Sequence, residues 1–149
     1  MTSTHLLRSQ HEDAIAMIDR LLSQLDQYKP RDDAFPIALQ LAKLTQLMRV
    51  HFAQEDYTLY PLLIASSDPD VAEAARAFQR ESGELWGQFE AFVRHWSTSS
   101  AMTLNFDRFK TEGAAICGAI EDRCKRENEL LFPLADALAA RRDGTSLAA

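Results

Sequence analysis

Residues 50–63, VHFAQEDYTLYPLL, return near the other end of the chain as residues 122–135, DRCKRENELLFPLA. Glu55 is echoed by Glu127, and Leu59-Tyr60-Pro61 by Leu131-Phe132-Pro133, with the proline six positions after the glutamate in both copies. Where the first copy has His51, the second has Arg123. The offset of 72 between these copies nearly recurs upstream. At 71, QHEDAIAMIDRLL (10–22) falls on ESGELWGQFEAFV (81–93) and sets His11 against Ser82. The chain reads as a duplicated helical hairpin whose first half carries His11, His51 and Glu55 and whose second carries Ser82, Arg123 and Glu127.

The segments around these repeats are helical in pattern, and no strand-like alternation is sustained. Four helices are predicted, at about residues 4–28, 33–66, 68–96 and 104–141, within a single domain spanning 1–149. Asp32 or Asp33 is the expected cap of the second helix and Ser67 or Asp68 of the third, while STSS (97–100) is a break and the tail 143–149 is expected to be disordered. Connections this short make neighbouring helices antiparallel. The predicted fold is therefore all-α, an up-down-up-down antiparallel four-helix bundle. With 149 residues, 46% hydrophobic and only five glycines and five prolines, the chain is long enough for a core without staples.

The apolar seams of these helices have polar interruptions. The second helix gives Ile37, Leu41, Leu44, Met48, His51, Glu55, Thr58 and Leu62; the fourth gives Phe106, Phe109, Gly113, Ile116, Ile120, Arg123, Glu127, Leu130 and Leu134. Leu7, His11, Ala14 or Ile15, Ile18, Leu22 and Leu25 form the first, and Val71, Ala75, Phe78, Ser82, Leu85, Phe89, Phe92 and Trp96 the third. In an antiparallel bundle His11, His51, Glu55, Ser82, Arg123 and Glu127 fall at one level. Burying such groups is costly unless they pair or coordinate an ion. His51 and Glu55, four apart, share a helix face, and with His11 and Glu127 they make a set of two nitrogens and two carboxylates suited to Fe(II), Mn(II) or Zn(II).

QHEDAI, HFAQEDYTLYP and RENELLFP resemble the hemerythrin-like, or HHE cation-binding, family over essentially the whole chain. The resemblance implies a four-helix bundle with a carboxylate-bridged non-haem di-iron centre, used for oxygen binding, for iron or oxygen sensing, or for repair of nitrosative damage. It makes His11 and His51 terminal ligands and Glu55 and Glu127 bridging carboxylates. Ser82 and Arg123 stand where the family has further histidines, so one ion rather than two is expected, with iron favoured over zinc or manganese. A guanidinium at 123 can neutralise the two carboxylates in place of the second dication. Two readings stay open at this stage. One is a mononuclear site binding or sensing a small diatomic molecule without turnover. The other is a metal-free network of Arg123, Glu55 and Glu127 in an interaction or regulatory module with a protein partner or a second copy.

The remaining chemistry-bearing residues have plainer readings. Tyr57, Tyr60, Trp86 and Phe132 read as core aromatics, with Tyr60 or Tyr57 able to hydrogen-bond a ligand. His95 reads as an exposed helix-end histidine, and His5 falls in the first turn. Cys117 and Cys124 are about 10 Å apart along one helix and cannot bridge each other, so buried packing is expected, with a redox-responsive thiol the sharper alternative. No glutamate is followed three residues later by histidine, as a ferritin-like di-iron site requires, and there is no CxxC, phosphate loop or nucleophile elbow. A net charge of −6 with pI near 5.2 argues against nucleic-acid or anionic-membrane binding, and no apolar run is long enough for a span. A cytoplasmic address is the expectation.

Overall fold

The computed structural model describes residues 4–148, with side chains described for 4–142. These residues form helices α1 (Thr4–Gln27), α2 (Phe35–Gln54), α3 (Tyr60–Ile64), α4 (Pro69–His95), α5 (Ser99–Leu104), α6 (Phe106–Arg126) and α7 (Phe132–Ala148). Single π turns, Glu55–Leu59 and Glu127–Leu131, join α2 to α3 and α6 to α7. Four long helical stretches result, and there is no strand among the described residues. None of their helices is long and apolar enough to cross a membrane.

The breaks follow local chemistry. Ala34 occupies the cap position of α2, but the Asp33 carboxylate accepts the Phe35 N–H just inside. Asp68 caps α4, accepting from the Asp70 N–H, with Pro69 at the first position. The STSS segment is itself a helix start, since the Thr98 hydroxyl accepts the Ala101 N–H and begins α5. The chain then breaks at Asn105, so the long final stretch begins at Phe106 rather than 104. At the other end the backbone stays helical to Ala148, past the expected end at 141; Ala149 lies outside the described residues. Residues 143–148 hold no proline, and one glycine costs a helix only about 1 kcal/mol.

The π turns were not legible in the periodicity. Pro61 and Pro133 have no N–H to return to the carbonyls of Tyr57 and Glu129, and the turn widens instead. The Tyr60 N–H reaches the Glu55 carbonyl and the Phe132 N–H that of Glu127, each five residues back. The extra residue shifts both seams by one. Thr58 and Leu130, predicted to face inward, are exposed, while Leu59, Leu63, Leu131 and Ala135 are buried. On α1 the buried apolar residues are Leu7, Ala14, Ile18, Leu21 and Leu25, with Leu21 in place of the predicted Leu22.

Packing leaves two apolar clusters. The larger gathers Ala14, Ile18, Leu44, Met48, Phe89, Phe109 and Ile120 among others; the smaller holds Leu7, Leu59, Tyr60, Leu63, Ala75, Phe78, Leu131, Phe132 and Ala135. On each long stretch a polar residue stands between them: His11 on α1, His51 and Glu55 on the second, Ser82 on α4, Arg123 and Glu127 on the last. Pairs such as Gln10 with Gln54, Asp26 with Lys110, and Arg8 with Asp136 tie the stretches together.

Candidate metal centre

His11, His51, Glu55 and Glu127 converge: one ligand atom from each lies within 4.8 Å of all the others, and all four side chains are buried. His11 Nε2 is 3.0 Å from His51 Nε2 and 2.9 Å from Glu127 Oε1, and His51 Nε2 is in close contact with Glu55 Oε1. Glu55 lies at the last α-helical turn of its stretch and Glu127 at the equivalent point of the other, each opening a π turn.

The far sides of the rings decide what faces inward. His11 Nδ1 lies 2.8 Å from Asn128 Oδ1 and His51 Nδ1 2.8 Å from Gln10 Oε1. The Gln10 amide nitrogen in turn donates to Gln54 Oε1, which orients its oxygen toward His51. An amide oxygen only accepts, so each Nδ1 carries the hydrogen and each neutral ring presents an Nε2 lone pair inward. Two lone pairs 3.0 Å apart repel unless a cation or proton lies between them. Glu55 Oε1, in the same space, is buried without a hydrogen bond of acceptable geometry. Two inward nitrogens and two carboxylate oxygens, one of them an unsatisfied acceptor, fit a borderline divalent metal.

The other carboxylate oxygens face a different neighbour. Arg123 Nε donates to Glu127 Oε2 at 3.3 Å, one Nη to Glu81 at 3.1 Å and the other to the Tyr60 hydroxyl at 3.0 Å and the Phe78 carbonyl. Its guanidinium also lies 4.6 Å from the Phe78 ring centre. The Tyr60 hydroxyl donates to Glu55 Oε2 at 3.1 Å. Each carboxylate thus offers one oxygen to the histidines and the other to the Arg123 and Tyr60 side, so a fixed cation stands on one flank of the pair.

Charges in the cluster are strongly biased. Burial and the Glu127 charge push the Glu55 carboxyl up to about 8 against the pull of His51. Burial alone would lower His51, but hydrogen bonds and charges from Glu127 and Glu55 outweigh it and push the imidazole up to about 9. Burial alone would raise Glu127; hydrogen bonds from His11, His51 and Glu55 hold it far below the usual carboxylate range. Metal-free, the cluster retains protons that a dication would displace.

The other predicted residues are placed as follows. Ser82 is buried at the level of the cluster and lines a surface cleft. Tyr57, predicted as a core aromatic, is 84% exposed, because the π turn brings Tyr60 inward instead. Trp86 is half-buried, and the Phe132 ring stacks on His11 at 5.0 Å. His5 and His95 are exposed, His95 lying edge-on to Trp96. Cys117 and Cys124 are free and buried; burial pushes the Cys117 thiol up to about 12 and raises Cys124 as well, which favours the neutral thiol in both. Gln10, Gln54, Asn128 and Glu81 were not singled out in the sequence, although three of them directly adjoin the ligand set as Gln10-His11, Gln54-Glu55 and Glu127-Asn128.

The hemerythrin HHE cation binding domain model matches residues 2–135, and the chain belongs to that family. No curated protein and no solved structure matches it.

Proposed function

We propose that this chain binds a single divalent transition metal, iron by the family likeness, through His11, His51, Glu55 and Glu127, and uses it to bind or sense oxygen or a related diatomic molecule. The observation that carries this reading is the pair of Nε2 atoms turned toward each other 3.0 Å apart, each ring held by an amide oxygen at its Nδ1. Bound iron supplies a Lewis-acidic, redox-active centre for such a ligand. Around it, Asn128 and Gln10 hold the imidazoles, Glu55 and Glu127 supply negative charge, and Arg123 balances that charge in place of a second cation. The partners engaging Arg123 hold its guanidinium fixed beside the two carboxylates, as a standing counter-charge.

An up-down-up-down antiparallel order is part of the same reading. It is supported by the start of α1 meeting α7 (Arg8 with Asp136) and its end meeting the start of α6 (Asp26 with Lys110), and by Gln10 meeting Gln54 while Gln40 meets Met17.

Protein purified without oxygen and without chelator should hold close to one iron per chain, without the visible absorption of an oxo-bridged pair. Two irons with that absorption overturn the single-ion reading; no iron after iron is supplied favours a metal-free interaction module. Ser82→His combined with Arg123→His should raise the stoichiometry toward two.

A further inference from the structure

The four inward groups are each at most 2% exposed, so a cation from solvent has no direct approach to them. On the α1 side the Phe132 ring and Asn128 cover His11. Beside Arg123, the Phe78 ring centre lies 4.6 Å from the Arg123 guanidinium and 5.2 Å from that of Arg126, and both arginines bond Glu81. Between the second helical stretch and α4 two of the residues, Ser82 and Gly83, carry little or no side chain.

A cleft of about 240 Å³ opens at that place, bounded by Phe52, Asp56, Gln79, Ser82, Gly83 and Trp86. Its volume holds several waters at about 30 Å³ each. Ser82, 4% exposed, belongs to the polar layer itself. Phe52, whose ring is tilted against Trp86 at 4.9 Å, is also edge-on to the His51 ring at 6.0 Å. Asp56, exposed and next in the chain to Glu55, brings a carboxylate to the cleft. Carboxylate, amide and hydroxyl oxygens are the groups that exchange with the water shell of a divalent ion. Apolar walls with a few oxygens suit passage rather than tight retention.

We propose that this cleft is the entry path by which a hydrated divalent cation reaches Glu55 and His51, with Asp56 drawing it in and Ser82 opening the way past α4. The proposal rests on the metal-binding reading above. A path, unlike a ligand, changes rates in both directions and leaves the equilibrium alone.

The test is stopped-flow uptake of Co(II), followed by its visible absorption, by chelator-treated full-length protein. A Cβ at Gly83 meets nothing within 4 Å, so Gly83→Leu adds a side chain at the cleft without a clash at its Cβ, and an unchanged melting temperature checks that packing is kept. It should slow uptake about tenfold and chelator-driven release by the same factor, with Co(II) per chain and Kd unchanged. Asp56→Asn should slow uptake about threefold and flatten its salt dependence. Ala115→Leu, in the separate cleft between α4 and α6 over Phe92 and Ile116, should change neither rate. Unchanged rates in Gly83→Leu, or equal slowing in Ala115→Leu, overturn the path while leaving the metal site standing. No Co(II) uptake by the unaltered chain overturns both.

Discussion

Arg123 is 6% exposed and hydrogen-bonded to groups from three helical stretches, so its removal leaves Glu127 and Glu55 without their fixed cation. Breaking a buried ion pair on one side costs about 3–5 kcal/mol. Arg123→Met should lower the stability of the metal-free protein by about that amount in denaturant melts, and supplied metal should recover part of it. Asn128 acts through His11. Asn128→Leu leaves the imidazole free to turn or change tautomer, so metal affinity should fall about 10–100-fold in chelator competition while the fold survives. His11, His51, Glu55 and Glu127 could be read from the sequence because they interrupt apolar seams at one level. Gln10 and Asn128 could not, since a polar residue beside a seam looks the same whether it faces water or the back of a histidine.

At the scale of elements, the π turns do what an α-helix could not. Five residues along an α-helix point about 140° apart, yet Tyr60 reaches back to bond Glu55. Pro61→Ala restores the missing N–H and lets the turn close to α geometry, which carries the Tyr60 hydroxyl away from Glu55. Helical circular dichroism should be unchanged or slightly increased, while metal affinity falls. Retained affinity would show that the turn serves packing alone. The four long helices and their approximate limits were legible from periodicity and caps. The one-residue seam shift at Leu59 and Leu131 was not, because period counting assumes 3.6 residues per turn throughout, and the break at Asn105 carries no proline or glycine to mark it.

For the molecule as a whole, the buried cluster ties stability to pH. His51, raised from 6.5 to about 9, and Glu55, raised from 4.5 to about 8, hold more protons folded than unfolded between those values. Their favourable contribution is therefore whole below 4.5 for Glu55 and below 6.5 for His51, and is lost progressively as pH rises to about 8 and about 9. Glu127, lowered, acts oppositely, and its contribution is lost in acid below the ordinary 4.5. The melting temperature of chelator-treated protein should be highest near pH 5 and decline toward pH 9, more steeply once His51 adds to Glu55 above 6.5, while metal affinity rises across the same range. A flat profile from pH 6 to 9 would mean the cluster keeps no extra protons. The polar layer also divides the apolar interior into two clusters. If the smaller cluster opens ahead of the larger, the amides around Leu7, Leu63 and Ala135 should exchange with deuterium faster in the absence of metal than those around Leu44 and Phe89. An ion gripped from three helical stretches at that boundary would join the two, and their exchange rates should then converge on one common opening.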